Sequence, residues 1–206
     1  MSPEDFVASI DVSRETLGRL ETYLSLLLRW QRAINLVGPA TLHDPWRRHI
    51  LDSAQLLSHL PATDGAIYDL GSGAGLPGLV LAIMGCNNVH LIESDQRKAQ
   101  FLREVIRSLG LPVSLQVQRI EALPPECADI ITARALAPLP RLLDLAVPLL
   151  KPGGQCLFLK GRNASDELTE AGKCWRMASQ FFPSRSDPSG SVLKLRDIVR
   201  APLHRQ

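Results

Sequence analysis

A glycine-rich stretch at residues 67 to 81, IYDLGSGAGLPGLVL, constrains the fold of this chain more than any other segment. A short apolar run ends at Asp69, four glycines follow, and an apolar helical pattern then resumes at once. Glycine permits positive φ angles and lets a ligand approach the backbone closely because it has no Cβ. The stretch therefore predicts a strand, a tight turn and a helix, with a nucleotide-like ligand on the turn. The four glycines are Gly71, Gly73, Gly75 and Gly78.

The spacing of these glycines leaves the identity of the nucleotide open. Gly73, Gly75 and Gly78 satisfy the dinucleotide fingerprint, and Glu93 follows Gly73 by 20 residues, as the ribose-binding acid of that motif does. Asp69 favours a different ligand, because a carboxylate there would repel a pyrophosphate but hold a cationic amino group. The order Asp-x-Gly-x-Gly-x-Gly resembles the first motif of Rossmann-like S-adenosylmethionine methyltransferases. A purely structural glycine turn is the remaining alternative.

Composition restricts the class of protein. With 206 residues, 45% hydrophobic and 21% charged, the chain fits one globular domain with an appendage. The four cysteines are widely spread without a C-x-x-C pair, so we expect buried thiols in a reducing compartment and no metal site. No apolar run is long enough to span a bilayer and the amino terminus is unlike a signal peptide, which predicts a cytoplasmic protein. A net charge of +2 does not by itself indicate nucleic-acid binding.

Two amphipathic helices are predicted before the first strand. The first covers residues 13 to 33 behind a Ser13 cap, and the second begins at Asp44 and Pro45 and ends before Pro61. We expect residues 1–62 to form a helical extension on a Rossmann-like core at residues 63–206, within a single domain. The extension fits a lid, a substrate platform or a plain cap on the sheet.

Apolar runs and helical patterns then alternate, which indicates parallel strands with right-handed crossovers and helices on both faces. A late strand at residues 192–199 fits an antiparallel partner at the sheet edge. The predicted fold is α/β, the Rossmann-like class I S-adenosylmethionine methyltransferase fold, in which the sheet is mostly parallel and seven-stranded. Strands are predicted at residues 88–92, 114–117, 128–132 and 155–160, and helices at residues 95–109, 139–149 and 165–181.

Ligands of open parallel sheets lie beyond the carboxyl ends of the strands, and those positions are polar here. Glu93 ends the second strand, where it suits either the ribose hydroxyls or the cap of the next helix. Arg134 ends the fourth strand, where the methionine end and the substrate would meet, although an ordinary surface salt bridge is equally consistent. Arg119, Ile120 and Glu121 follow the third strand, where the adenine edge should lie.

Seven segments, in order, resemble one family, the bacterial ribosomal RNA small-subunit methyltransferase G, also called glucose-inhibited division protein B. The Leu-Pro-Gly after the third glycine and the Arg-His-x-x-Asp-Ser run are the most specific of these matches. The resemblance fades beyond Gly161. The segments are RWQRAINLVG (29–38), RRHILDS (47–53), DLGSGAGLPG (69–78), LIESDQRKAQFL (91–102), QRIEAL (118–123), ITARALAPL (131–139) and LFLKG (157–161).

The resemblance implies transfer of a methyl group from S-adenosylmethionine to N7 of a guanine in the 530 loop of 16S rRNA, guanine 527 in the usual bacterial numbering. Ser94, which follows Glu93, the candidate for binding the ribose, is also a predicted cofactor residue. The basic residues after Ser94 stand in a different order from the one usual in the family. The positions carried over by the resemblance are Gly71, Leu76, Glu93, Ile120, Glu121 and Arg134.

Guanine N7 carries a lone pair and no proton, so the reaction needs no general base, and positioning should supply the rate. His49 and Asp52 share one helical turn and suit either the pocket wall or a helix surface. The partner would be 16S rRNA or the 30S subunit, with no membrane and no metal, and we expect a monomer. Candidates for holding RNA are Arg29, Arg32, Arg47, Arg48, Arg119, Lys160 and Arg162.

Two other functions fit parts of the sequence. A dinucleotide-dependent oxidoreductase would use the same glycine turn, and a titration with nicotinamide cofactor against S-adenosylmethionine separates the two. A ribosome-assembly factor without catalysis would keep the fold but has no need of an intact Asp69, Glu93 and glycine series.

Overall fold

The computed structural model describes residues 1–62 and 64–202, and its centre is one seven-stranded sheet. The strand order is β3-β2-β1-β4-β5-β7-β6. The first five strands pair in parallel, and β7 runs antiparallel to both of its neighbours. The predicted fold class is confirmed, and the late strand is antiparallel as predicted, but it lies between β5 and β6 and not at the sheet edge. The strands are β1 (Ile67–Leu70), β2 (Val89–Ile92), β3 (Val113–Gln116), β4 (Ala128–Arg134), β5 (Leu150–Lys160), β6 (Trp175–Pro183) and β7 (Ser191–Arg200).

Helices cover both faces of the sheet. Those that follow β1 and β2 pack with the amino-terminal helices in one apolar cluster, and those that follow β4 and β5 pack in a second cluster on the opposite face. The α-helices are α1 (Pro3–Ser9), α2 (Arg14–Gln31), α3 (Asp52–Ala54), α4 (Gly78–Ile83), α5 (Gln96–Leu109), α6 (Leu139–Ala146) and α7 (Ala164–Ala171).

The amino-terminal segment differs from the two predicted helices. A third, short helix, α1, precedes them, capped by the Ser2 side chain with Pro3 in its first turn. The second predicted helix is not a regular α-helix: a π-helix at Trp46–Leu51 leads into α3, and a 3-10 helix at Gln55–His59 follows. The apolar spacing predicts that this segment is helical but cannot specify these changes of pitch, which depend on tertiary contacts.

The predicted helix at residues 165–181 is wrong in its second half. Helix α7 ends at Ala171, and β6 begins at Trp175 and pairs with β7 along its length. Gly172 marks the end of the helix, and the aromatic residues that follow suit a strand. β6 is the edge strand of the sheet, and most of its residues are exposed. Its sequence therefore shows little alternation of buried and exposed residues, which is why a helix is predicted there.

The cysteine prediction holds only in part. Cys156 is buried and Cys86 and Cys127 are half-buried, but Cys174 is exposed in the turn between α7 and β6. All four thiols are free.

Candidate active site

Two cavities open at the carboxyl ends of the parallel strands, and one loop, residues 135–137, lines both. The smaller has a volume of about 450 Å³ and lies beside the glycine turn and the ends of β2 and β3. The larger, of about 640 Å³, lies at the ends of β4 and β5 under the amino-terminal helical segment. The carboxyl edge of the sheet therefore presents two compartments.

The smaller cavity gathers five of the ten predicted cofactor positions. Glu93 and Ser94 line it after β2, Ile120 and Glu121 line it after β3, and Gly71 lies at its inner end. Sequence reasoning missed three of its wall residues, Lys98, Arg141 and Leu145, because they come from helices rather than strand ends. It also missed Gln118, which lies in the loop after β3.

Glu93 has a structural role as well as a place in the cavity. One carboxylate oxygen accepts the Gly73 N–H at 2.9 Å, and the other accepts the Asp95 N–H at 2.7 Å. Glu93 thus ties the glycine turn to the start of α5, and Asp95 in turn caps that helix. Each carboxylate oxygen has a second lone pair, so these bonds leave acceptor capacity for a ligand hydroxyl.

Asp69 does not reach either cavity. Its side chain is fully buried, with one oxygen accepting the Thr132 hydroxyl at 3.0 Å and the other the Gly78 N–H at 3.1 Å. The contact predicted between Asp69 and a ligand amino group is therefore not available in this structure. Burial raises the pKa of the carboxyl group to about 7, although the hydrogen bonds from Thr132 and Gly78 oppose this shift. Through these two hydrogen bonds, Asp69 holds the glycine turn against the sheet.

Protonation of Asp69 should make stability depend on pH. Its folded pKa of about 7 exceeds the ordinary value of 3.8, so the folded state binds this proton more tightly. This contribution to the free energy of unfolding should fall as pH rises from about 4 to about 7, by on the order of 1.4 kcal/mol per pH unit, and stay constant above. Asp69→Asn should lack that component. Urea denaturation of both proteins at pH 5, 6, 7 and 8 checks it, and parallel stability curves would contradict the assignment.

The other residues of the turn act through the backbone. Gly71, Gly73 and Gly75 have φ angles of 63°, 56° and 81°, so the predicted left-handed conformations are confirmed. Leu76 is buried in the core and faces neither cavity, so any cofactor contact there has to come from its backbone. The buried Tyr23 hydroxyl on α2 donates to the Ala74 carbonyl at 2.8 Å, which fixes the turn from the amino-terminal side.

Arg134 organises the larger cavity. Its guanidinium donates to the Arg48 carbonyl at 2.9 Å, the Asp52 carboxylate at 3.0 Å and His49 Nδ1 at 3.0 Å. All three acceptors come from the helical segment that contains the π-helix and α3. Of the roles left open for His49 and Asp52, the structure places both in the cavity wall, bound to Arg134.

The tautomer of His49 follows from this geometry. A guanidinium can only donate, so Nδ1 is the acceptor and Nε2 carries the hydrogen. Nε2 lies 3.0 Å from the Thr41 hydroxyl, which itself donates to the Gly38 carbonyl at 2.6 Å. Burial, and then the charges of Arg134 and Arg48, lower the pKa of His49 to about 3. His49 is therefore neutral at physiological pH, with both ring nitrogens engaged.

The loop between β6 and β7 closes the larger cavity from the carboxyl-terminal side. Ser186 donates to Asp52 at 2.5 Å, and Arg48 pairs with Asp187 at 2.7 Å. The Arg48 hydrogen bond is the main reason why the pKa of Asp187 is lowered to about 2. Gln55 adds bonds to Ser184 and to the Arg185 backbone. Sequence reasoning assigned nothing to this region, because contacts over more than a hundred residues leave no local pattern.

The predicted RNA-binding residues are dispersed in the structure. Arg48 and Lys160 line the larger cavity, each in an ion pair, and the Lys160 side chain is only 9% exposed beside Glu167. Arg47 pairs with Asp44 and Arg162 is exposed, and neither lines a cavity. Arg119 lines the smaller cavity instead. These candidates therefore do not form one surface.

The loop shared by the two cavities is strained. Ala135 has a φ angle of 51°, which costs a residue with a Cβ about 1–2 kcal/mol. The next side chain, Leu136, covers Gly71: a Cβ built on Gly71 would lie 2.5 Å from Leu136 Cδ1. Strain of this kind concentrates at functional sites. Leu136 marks the junction between the two compartments.

A family model described as rRNA small subunit methyltransferase G matches residues 16–188. The chain belongs to this methyltransferase family. A Ribosomal RNA small subunit methyltransferase G from Rhodospirillum rubrum is 55% identical over 201 residues, covering 98% of this chain and 100% of the relative. One from Rhodospirillum centenum is 57% identical over 195 residues, covering 95% and 90%.

The fold of this methyltransferase family member is also found among solved structures. A SAM dependent methyltransferase from Aquifex aeolicus superposes with a TM-score of 0.58 at 17% identity, covering 78% of this chain and 96% of that one. No helix in the described part of the chain combines the length and apolar character needed to cross a membrane. Within residues 1–62 and 64–202, no group of three or more His, Cys, Asp or Glu side chains is arranged to hold a metal ion.

Proposed function

We propose that this protein transfers the methyl group of S-adenosylmethionine to N7 of a guanine in the 530 loop of 16S rRNA. The observation that carries the proposal is the pair of cavities that meet at Leu136, beside the glycine turn of a methyltransferase family member. One compartment suits the cofactor and the other the target base, and methyl transfer requires the two ligands to meet.

The residues around the smaller cavity fit the cofactor. Glu93 and Ser94 offer acceptors to ribose hydroxyls, and Ile120 presents an apolar surface to a planar base. Gly71 also lines this cavity, and Leu136 packs so closely against it that no Cβ could be added there without displacing Leu136. When bound, S-adenosylmethionine supplies an electrophilic methyl group on its sulfonium. The side chain of Leu136 lines this cavity and the larger one, where the methyl group and the target base would meet.

The residues around the larger cavity suit a guanine that becomes cationic. Methylated N7 leaves a positive charge on the base, and three carboxylates line this cavity: Asp52, Glu167 and Asp187. Each is paired with a cation of the same cavity, Arg134, Lys160 or Arg48, so stabilisation of a developing cation has to come from the carboxylate lone pairs that these ion pairs leave free. His49 cannot act as a base, because Arg134 and Thr41 occupy both of its nitrogens, and the reaction requires none. The chain contributes orientation and electrostatics.

The test is transfer of isotopically labelled methyl from S-adenosylmethionine by the purified protein, with naked 16S rRNA and intact 30S subunits from cells lacking this enzyme offered separately. We expect one label per rRNA, at guanine N7. A matched reaction with 30S subunits that already carry the modification should take up no label. Label on another atom, or no label on either substrate, would contradict the assignment.

Glu93→Ala should weaken binding of S-adenosylmethionine by about 1.5 to 3 kcal/mol, because it removes a charged acceptor. Calorimetry with the cofactor and its 2′-deoxyribose analogue tests whether Glu93 binds the ribose 2′-hydroxyl. Removing that hydroxyl should cost the mutant little further binding free energy. Glu93 also holds the start of α5, so Asp95→Ala is the control: it removes the side-chain cap of α5 but keeps Glu93 and its bonds to the Gly73 and Asp95 backbones. If the losses of binding free energy caused by the mutation and by removal of the hydroxyl add fully, Glu93 does not touch the ribose.

We further propose a monomeric, cytoplasmic enzyme in which residues 1–62 and the core form one domain. The cytoplasmic location follows from rRNA as the substrate. The exposed large apolar side chains Val7, Leu28, Phe181 and Val199 lie on four different elements, which supports a monomer. None of the matches supports the oxidoreductase or the assembly factor without catalysis.

A further inference from the structure

An arginine-rich surface covers the solvent side of the α2 and α5 pair. These helices are held together by the packing of Phe101 against Tyr23 and Trp30, at ring-centre distances of 6.5 and 5.9 Å. We call this surface the arginine face, and its members, which are all exposed, are Arg29, Arg32, Arg97, Arg103 and Arg107.

Contacts between the helices make the arginine face continuous. Arg29 and Arg107 donate to opposite oxygens of Glu104, at 3.1 and 3.2 Å, so one carboxylate holds two guanidinium groups side by side. Arg97 donates to the Ala33 carbonyl at 2.9 Å, which places it beside Arg32 at the end of α2. From Arg97 to Arg107 the face runs about 15 Å along α5.

The need for a stable fold does not explain this grouping. The Arg29 and Arg107 side chains are 64% and 76% exposed, and surface ion pairs of that kind add little stability. Helix α5 has four cationic side chains and a single carboxylate, Glu104, whereas the whole chain has a net charge of only +2. Positive charge is therefore concentrated on the arginine face.

The arginine face leads to both cavities. Helix α5 starts directly after Glu93 and Ser94, and Lys98 in its first turn lines the smaller cavity. Ala33, held by Arg97, begins the loop that supplies Gly38 and Thr41 to the wall of the larger cavity. An extended polyanion on this face would thus reach the compartment proposed for guanine.

We propose that the arginine face binds the phosphate backbone of the rRNA that flanks the target guanine. This inference rests on the proposed function for the identity of the RNA. Guanidinium groups bind phosphates in a fork geometry, and their free donors here point to solvent. The face contributes affinity and salt dependence rather than base recognition.

The test compares two triple variants with the same loss of charge. Arg29→Gln/Arg103→Gln/Arg107→Gln removes the centre of the arginine face, and Arg14→Gln/Arg176→Gln/Arg196→Gln removes three exposed arginines elsewhere. Binding of 30S subunits and of 16S rRNA is measured between 50 and 200 mM salt. The first variant should bind about tenfold or more weakly and lose about 2 units from the slope of log K against log salt. Its cofactor affinity and its kcat at saturating RNA should stay unchanged.

The control variant, with glutamines at positions 14, 176 and 196, should keep the wild-type salt slope. Arg29→Lys/Arg103→Lys/Arg107→Lys should have most of the slope that the corresponding glutamine variant loses. Equal weakening in both glutamine variants would mean diffuse charge and overturn the proposal, as would an unchanged slope in the first. Failure of the proposed function would give a different result: the wild-type protein would bind rRNA through the arginine face but would transfer no methyl group to guanine N7.

Discussion

Gly71→Val is expected to abolish binding of S-adenosylmethionine. The position has a φ angle of 63°, and a Cβ there would lie 2.5 Å from Leu136 Cδ1. The branched side chain must displace Leu136 or the turn, and both of these line the smaller cavity. Calorimetry should detect no cofactor binding at concentrations that saturate the wild-type protein.

Gly110→Val is the matched control for this experiment. Gly110 ends α5 with nearly the same φ angle, 59°, but nothing lies within 4 Å of a Cβ built there. It should lose stability through backbone strain of about 1–2 kcal/mol and bind the cofactor normally. Near wild-type affinity in Gly71→Val would remove the glycine turn from the cofactor site.

Arg134→Ala should lower kcat/KM for rRNA methylation by about two orders of magnitude, a barrier increase of about 2.7 kcal/mol. The change leaves the Asp52 carboxylate, His49 Nδ1 and the Arg48 carbonyl without their shared donor at the junction of the cavities. Arg134→Lys should restore only part of the rate, because an ammonium cannot reproduce the guanidinium fork. Steady-state kinetics with 30S subunits provides the measurement.

Two further observations separate positioning from RNA binding. The salt slope of RNA binding should not change in Arg134→Ala, since this guanidinium is occupied by protein acceptors. Arg19→Ala, which removes a surface ion pair with Glu15, should have the wild-type rate. A wild-type rate in Arg134→Ala would show that the network serves only to hold the helical segment on the sheet.

The sequence predicted the parts of this molecule that depend on local pattern. The glycine turn, the alternation of strands and helices, and the polar strand ends at Glu93 and Arg134 are confirmed in place, because period and turn chemistry determine them. Strand β6 was missed because an exposed edge strand buries too few side chains to show its period. Helix α1 was not predicted, because a seven-residue helix with a single buried side chain, Phe6, is too short to show a helical period.

The candidate site was less accessible to sequence reasoning, because its contacts cross the chain. Asp69 ends its strand where a ligand contact was expected, yet burial and the bond to Gly78 turn its carboxylate inward. The pairing of Arg134 with His49 spans 85 residues, and that of Asp52 with Ser186 spans 134. No local period encodes such pairs. The loop at residues 135–137, which lines both cavities, likewise contains a left-handed residue, Ala135, that no local pattern predicts.

The central claim is methylation of one guanine N7 in 16S rRNA, and mass mapping of that rRNA tests it most directly. Fragments from cells with and without this gene are compared, and the lost methyl group is located by strand cleavage at N7-methylguanine. The account predicts that one fragment from the 530 loop becomes lighter by one methyl group and that its cleavage site disappears. The wild-type gene supplied again should restore both signals, and the Gly71→Val gene should not. Identical fragment masses from the two strains would contradict the account.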